Sequence, residues 1–224
     1  MPIELKENLV LLCEGDADKN FFRKLVQKRD QLPKFDIPFP FENLGGKDAF
    51  AKMLRAIRGD RHGFARVRGV LIVADSADDP VVSFQTICDQ IRQAGGYGVP
   101  TAPLEAAPGT LGHPPVAIML LPDETTPGGL ETLCIQEIAP KSPWIIPCVD
   151  QFLRCEQIQA HAWPPEKLDK ARYHSMVAAL NRDDPGRALS YAFKDPQPLI
   201  AVEAACFNDV ELRLRNFSAA VGIA

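Results

Sequence analysis

Acidic residues follow three apolar runs of this sequence, at the points where buried strands would end. The three groups are Glu14, Asp16 and Asp18, then Asp75, Asp78 and Asp79, then Asp123 and Glu124 with Glu131. Carboxylates gathered in one place repel each other unless a cation compensates their charge. Hard oxygen ligands at this density favour Mg²⁺ or Mn²⁺ over zinc. The pattern predicts a divalent metal site if the fold brings the groups together.

Helix capping is the competing interpretation of each acidic group. Asp and Glu are favoured in the first helical turn, where they accept hydrogen bonds from free N–H groups and complement the helix dipole. Asp16, between Glu14 and Asp18, is predicted to be such a cap. For the three groups together, the position of each one directly after a buried strand favours the metal site.

Basic residues that could bind phosphate are concentrated between residues 52 and 68. Helical spacing places Arg55 and Arg58 on one face there. In an acidic chain this stretch is the best candidate for a phosphate-binding patch, although a solvated helix face explains the same pattern. Lys47, beside a turn predicted at Gly45-Gly46, is a further candidate phosphate ligand.

Hydrophobic spacing predicts the elements that must position these residues. Strands are predicted at residues 8–13, 41–44, 67–74 and 116–121, and helices at 16–29, 50–57, 84–91 and from residue 130. This alternation predicts an α/β fold with an open, largely parallel, Rossmann-like sheet flanked by helices. Ligands bind such sheets outside the carboxyl ends of the strands, which is the edge where the acidic groups would meet.

The strand pattern stops at about residue 140. Helices are predicted beyond it at residues 148–160, 166–181 and 199–220, the last with a single apolar stripe. We therefore predict an α/β core at residues 1–140 and a helical C-terminal extension at 141–224 that packs on the core.

Composition narrows the class of protein. The formal net charge of −4, from 25 basic and 29 acidic residues, argues against a protein that coats nucleic acid nonspecifically, but it leaves room for a local basic patch. The apolar runs are far shorter than the roughly 20 residues of a membrane-spanning helix, and the first residues lack the pattern of an export signal. The six scattered cysteines are typical of reduced core thiols, so we expect a cytoplasmic protein without a membrane segment.

The order of the motifs resembles the Toprim domain of primases, topoisomerases and the overcoming-lysogenization-defect nucleases. That domain has a strand ending in EGxxD and a later apolar strand ending in an Asp-rich D-x-D motif. This chain has EGDAD at residues 14–18 and IVADSADD at 72–79. Further details look closest to a group of prokaryotic Toprim-like proteins, and the resemblance covers residues 8–180. Those details are NLGGKDAF at residues 43–50, GGYGVP at 95–100 and PDETTPGGLETL at 122–133.

The resemblance implies a role for each acidic group. Glu14 would act as general acid or base beside the reacting phosphodiester. Asp75 would hold Mg²⁺ with help from Asp78 or Asp79, and Asp18 would assist. Glu131 would bind a second ion or orient a water.

Two further consequences of the resemblance concern single residues. Lys170, on a predicted C-terminal helix, would approach the site as a phosphate ligand, although a plain surface lysine is the interpretation that the residue type favours. The second Asp of D-x-D falls at Ala77, which cannot bind metal. Asp78 or Asp79 would have to substitute for it, and weakened or lost activity is one expected result.

Three functions remain open from the sequence. The leading hypothesis is a Mg²⁺- or Mn²⁺-dependent Toprim-like nuclease that acts on nucleic-acid phosphodiesters. A haloacid-dehalogenase-like phosphatase is the second, because VLIVADSADD is similar to a strand that ends in a nucleophilic Asp, although Ala77 departs from that family's D-x-D-x-[TV] motif as well. The third is a non-catalytic binding or regulatory module that associates with a partner protein.

Overall fold

The structure is a computed structural model, and it describes residues 3–38, 49–110, 112–159, 163–194 and 198–223. Three predictions fall outside these ranges: the strand at residues 41–44, the Gly45-Gly46 turn and the phosphate ligand Lys47.

A three-stranded parallel sheet forms the centre of the molecule. Its strands are β1 (Leu9–Cys13), β2 (Gly69–Asp75) and β3 (Val116–Leu121), in the order β1-β2-β3. Every strand residue is buried except Asp75, which is half-buried, as expected for strands covered by helices on both faces. The predicted parallel α/β sheet is confirmed. At the outer edge of β1, the backbone of Asp36 exchanges hydrogen bonds with Leu9 and Leu11.

Helices occupy most of the remaining described chain. They are α1 (Asp16–Lys28), α2 (Ala49–Ile57), α3 (Arg61–Phe64), α4 (Pro80–Ala94), α5 (Leu130–Ile138), α6 (Ile145–Leu153), α7 (Glu156–Gln159), α8 (Pro165–Leu180), α9 (Leu189–Ala192) and α10 (Asn208–Ala220). The helix predicted at 148–160 is divided between α6 and α7. The helix predicted at 199–220 begins only after a 3₁₀ turn at Ala205–Phe207. Its start was predicted wrongly because Leu199 and Ile200 donate their N–H groups to the Ala192 carbonyl.

Alternate residues of each strand face two separate hydrophobic clusters. Leu11 and Met119 point into the cluster that contains α1, α5, α8 and α10, whereas Leu12 and Ile118 point into the one that contains α2 and α4. The first cluster therefore joins the sheet to helices of residues 141–224, which cover this face of the sheet together with α1 and α5.

Two observations bear on the predictions from composition. No helix in the described ranges is long and apolar enough to cross a membrane. Cys148 and Cys155 are exposed, so the prediction of core thiols is wrong for these two, whereas Cys13, Cys88 and Cys134 are buried.

Candidate active site

The parallel register brings the ends of β1 and β2 together at the carboxyl edge of the sheet. Cys13 pairs with Val73, so Glu14 follows β1 close to the place where Asp75 ends β2. Helix α1 starts two residues after Glu14, and helix α5 starts beside Asp75. The first turns of these helices supply Asp18 and Glu131. The structure thus gathers Glu14, Asp18, Asp75 and Glu131 into what we call the acidic edge.

Asp75 is a half-buried carboxylate of the acidic edge, with its side chain 17% exposed. Its Oδ1 accepts the Leu130 N–H at 3.2 Å, and its Oδ2 lies 3.8 Å from the Lys170 Nζ. Burial raises the pKa of Asp75, the charges of Asp18 and Glu131 raise it further, and Lys170 opposes them, so that the pKa reaches about 8. The ionised form of Asp75 therefore lacks enough compensating positive charge.

Asp18 is the second strongly perturbed carboxylate. Burial raises its pKa to about 7, with Glu14 and Glu131 adding to the effect. Its Oδ2 accepts the Gly15 N–H at 3.2 Å, which partly opposes that shift. The prediction that Asp16 caps this helix is wrong: Asp16 is the first helical residue, and its carboxylate binds the Lys19 ammonium at 2.9 Å.

Glu14 and Glu131 complete the acidic edge, and Glu14 is its most accessible member. Glu14 is exposed and Glu131 is half-buried. Both raise the pKa of Asp18, and Glu131 also raises the pKa of Asp75, so their charges act within a single site.

The ligand chemistry fits a hard divalent cation, but a complete ligand set is not preassembled. In the part of the chain that the structure describes, no three His, Cys, Asp or Glu side chains are grouped so that they could hold one metal ion. Mg²⁺ is usually held by one or two protein carboxylates, with waters and substrate phosphates completing its coordination. The acidic edge fits that mode of binding rather than an all-protein cage.

The loop after β2 explains why its aspartates do not all converge on the acidic edge. Ala77 has a φ of 50°, and its backbone exchanges two hydrogen bonds with Gly128, at 2.9 and 2.8 Å. This pairing ties the loop after β2 to the loop after β3. Asp79 instead caps helix α4 by accepting the N–H groups of Val81 and Val82, and Asp78 is exposed.

The third acidic group of the sequence is divided in the same way. Only Glu131 belongs to the acidic edge. Burial would raise the pKa of Asp123, but hydrogen bonds from Thr125 and Thr126 outweigh it and lower that pKa to about 2. Glu124 lies 3.4 Å from the Arg213 guanidinium.

Helix α8 supplies the basic side chain of the site and helps to fix helix α5. Lys170 lies beside Asp75, as the resemblance implied. Its neighbour Asp169 accepts a hydrogen bond from the Thr132 hydroxyl at 2.7 Å and binds Arg172 at 2.8 Å. Sequence reasoning missed Thr132 and Asp169, because their contact joins positions 37 residues apart.

The predicted phosphate-binding arginines lie elsewhere. Arg55 donates to the carbonyl of Gln93, near the C-terminal end of α4, and Arg58 follows the last residue of α2. Helix α4 starts at the carboxyl edge of β2 and ends at the opposite edge, so neither arginine is at the acidic edge. Of the described phosphate-binding candidates, only Lys170 joins the carboxylates.

One family accounts for most of the chain. The sequence matches the family described as a protein of unknown function, DUF3226, over residues 8–215. The chain belongs to the DUF3226 family. The matched range extends from β1 into α10, so in this DUF3226 protein the family unit includes both the sheet and its C-terminal helices. No curated protein and no solved structure matches the chain.

Gly129 is a residue of the site that sequence reasoning passed over, although the Gly128-Gly129 pair before α5 was a visible signal. A Cβ atom on Gly129 would lie 2.4 Å from the Asp75 carboxyl carbon. Its φ of −164° is accessible to any residue. Glycine is therefore required here because a Cβ atom would clash with Asp75, not because of the backbone conformation.

Gly129→Ala is expected to displace the Asp75 carboxylate and to lower the free energy of unfolding by about 1–3 kcal/mol. Urea unfolding measures the change. Gly186→Ala is the matched control, because no described atom lies within 4 Å of a Cβ placed there. Equal losses in both variants would contradict a specific contact between Gly129 and Asp75.

Proposed function

We propose that this DUF3226 protein is a cytoplasmic, Mg²⁺- or Mn²⁺-dependent Toprim-like nuclease that hydrolyses nucleic-acid phosphodiesters. The observation that carries the proposal is the pair Asp18 and Asp75 at the carboxyl edge of a parallel sheet, where burial and the charges of neighbouring carboxylates raise the pKa of each. Perturbed carboxylates in such a position are typical of functional sites rather than of helix caps.

The metal would be held by Asp75 together with Asp18 or Glu131. When bound, Mg²⁺ polarises the phosphate and stabilises the charge that develops on its oxygens. The protein's own part is to keep these carboxylates together in spite of their repulsion. The Leu130 N–H and the start of helix α5 assist by stabilising negative charge on Asp75.

Glu14 and Lys170 have the remaining roles in the proposal. Glu14 is exposed at the acidic edge, where it can reach a bound strand and transfer a proton to or from a reacting oxygen. Lys170, 34% exposed, would leave Asp75 to bind a substrate phosphate once a metal supplies positive charge there.

A non-catalytic module that binds nucleic acid or a partner protein is the alternative function. Two observations favour it: Ala77 stands where the Toprim motif has a second Asp, and Lys170 already supplies a cation to Asp75. In this alternative the lysine replaces the metal permanently.

Cleavage assays on single-stranded DNA, duplex DNA and RNA test the proposal, each with Mg²⁺, Mn²⁺ or EDTA. We expect metal-dependent cleavage by the wild type, and none by the double variant Glu14→Gln, Asp75→Asn. Asp89→Asn is the matched control, because that carboxylate is 74% exposed and binds Arg92 on the surface of α4. Cleavage that persists in EDTA or in the double variant would contradict the proposal.

Two other results would assign the protein to another class. Polynucleotide or partner binding without cleavage under any metal condition would establish the binding module. Turnover of a small phosphate ester such as p-nitrophenyl phosphate, lost in Asp75→Asn, with no cleavage of polynucleotides, would indicate the phosphatase.

A further inference from the structure

A second site is formed at the amino-terminal edge of the sheet, opposite the acidic edge. A groove of about 860 Å³ lies between the segment before β2, the segment before β3 and the last residues of α10. Arg58, Arg61 and Arg68 line it. We call it the arginine groove.

The arginine groove is far from the acidic edge. Arg68 directly precedes β2, and Asp75 is the last residue of that strand. Strands rise about 3.3 Å per residue, so the two sites are separated by roughly 20 Å. A small ligand in the groove therefore does not touch Asp75.

The groove carries positive charge that the described lining residues do not compensate. All three arginines are exposed, and no Asp or Glu is among the described residues that line the groove. Asp60 lies between Arg58 and Arg61 in the sequence, but its carboxylate accepts hydrogen bonds from the N–H groups of Leu5 and Gly63, at 2.8 and 3.0 Å.

Two neighbouring arginines form side-chain hydrogen bonds to backbone carbonyls, and the groove arginines form none within the described ranges. Arg55 binds the Gln93 carbonyl at 2.7 Å and Arg66 binds the Leu5 carbonyl at 2.8 Å. Within the described ranges, none of the three groove guanidinium groups pairs with an acidic side chain. Guanidinium groups bind phosphate through two parallel hydrogen bonds, so three of them in one groove indicate an anionic phosphate ligand.

The rest of the lining is apolar and aromatic. Phe64 and His113 contact each other edge-to-face with ring centroids 5.9 Å apart, and Val67 and Pro114 extend this surface. Both ring nitrogens of His113 are buried and have no hydrogen-bond partner among the described residues. Because these nitrogens are enclosed, a ligand in the groove would contact the accessible part of the ring and its apolar neighbours, and a planar heterocycle complements such a surface by packing against it.

We propose that the arginine groove binds a nucleoside phosphate, with the phosphates on the arginines and the base against the ring of His113 and its apolar neighbours. The volume of the groove is within the range of 300–1,000 Å³ that is usual for small-molecule sites. This inference goes beyond the proposed nuclease function and does not depend on it, because the groove requires no metal and lies at the other edge of the sheet.

Isothermal titration calorimetry with ATP, AMP and inorganic phosphate in EDTA tests the proposal. We expect one saturable site for the nucleotides and at least tenfold weaker binding of inorganic phosphate, which lacks a base. The double variant Arg61→Ala, Arg68→Ala is expected to weaken nucleotide binding at least tenfold without a change in unfolding midpoint, since both side chains are exposed. Arg92→Ala combined with Arg182→Ala removes the same charge elsewhere and should bind as the wild type does.

Several results would overturn the proposal. These are no nucleotide binding at millimolar concentration, equal binding of inorganic phosphate, equal losses in the two double variants, or binding of oligonucleotides alone with affinity that rises with their length. The variant Glu14→Gln, Asp75→Asn is expected to keep nucleotide binding intact. A negative result in the nuclease assay therefore leaves the nucleotide-binding proposal standing, and a negative result in the calorimetry leaves the nuclease proposal standing.

Discussion

Asp75→Asn is expected to make the metal-free protein more stable at pH 8 while it removes the response to Mg²⁺. The ionised Asp75 carboxylate is nearly buried, and the charges of Asp18 and Glu131 repel it more strongly than Lys170 attracts it. Asparagine has the same shape without the charge, and its oxygen can still accept the Leu130 N–H. At about 1.4 kcal/mol per unit of pKa shift, we expect a gain of about 1–3 kcal/mol in the free energy of unfolding.

The pH dependence of stability follows from the same shift. The pKa of Asp75 is about 8 in the folded protein and about 4 in the unfolded chain, so between these values only the folded protein keeps the proton. The contribution of this residue to the stability of the wild type is therefore fully present at pH 4 and below, and it is lost as the pH rises towards 8. Asp18, with a pKa of about 7, acts in the same direction and keeps part of the slope in the variant.

Urea unfolding between pH 5 and 8.5, with EDTA or with Mg²⁺, measures both effects. Mg²⁺ binds the ionised carboxylates, so it should stabilise the wild type more at pH 8 than at pH 6, by about 2.7 kcal/mol at 100 times its dissociation constant. Asp75→Asn should show a flatter pH profile and no Mg²⁺ effect, whereas Asp89→Asn should behave as the wild type does. Parallel profiles for Asp75→Asn and the wild type would contradict the assignment of Asp75 as an uncompensated carboxylate.

Glu14→Gln is expected to lower the rate of metal-dependent cleavage by about 10²–10⁴-fold, the usual contribution of a general acid or base. Glu14 is exposed, so its replacement should leave the fold intact. It should also retain the Mg²⁺-dependent stabilisation, since Asp18, Asp75 and Glu131 are unchanged. A single variant would then lose the cleavage rate while it keeps the stabilisation by Mg²⁺.

Single-turnover cleavage with saturating enzyme gives the rate of the chemical step without the binding step. The pH profile of that rate should lose one limb in Glu14→Gln, because the group that titrates there is gone. A variant that loses nucleic-acid affinity at an unchanged single-turnover rate would show that Glu14 contributes to binding instead. Asp89→Asn, which removes an exposed carboxylate on the surface of α4, is the control for the loss of one negative charge.

The sheet was predictable because its signal is local. The runs that form β1, β2 and β3 are apolar at nearly every position, so burial on both faces follows from the residues themselves. The start of α10 was not predictable in this way. Its apolar stripe continues back to Leu199, but contacts with Ala192 hold that residue out of the helix.

The acidic edge was partly predictable for the same reason. Glu14, Asp75 and Glu131 follow from the rule that parallel strands and the helices after them meet at one edge. The sequence did not reveal which acidic residue of a group caps a helix and which one faces the site, because both positions favour the same residue types. Asp18 accepts the Gly15 N–H and Asp79 caps α4, whereas sequence reasoning gave the cap to Asp16. The arginine groove depends on His113 approaching Phe64 from a different part of the chain.

The contact between Arg213 and the loop after β3 has a consequence for how the protein is made. The Arg213 guanidinium donates to the carbonyls of Leu120 and Pro122, and Arg213 follows Leu120 by 93 residues. On the ribosome, all three strands are synthesised before α8 and α10, which share the cover of the Leu11 and Met119 face with the earlier helices α1 and α5. Part of that apolar face stays open during this interval, which is the condition under which nascent chains aggregate or engage chaperones. The fold can therefore be completed only when the C-terminal helices have been synthesised. Lys170, on α8, can reach the acidic edge only after all three strands have been made.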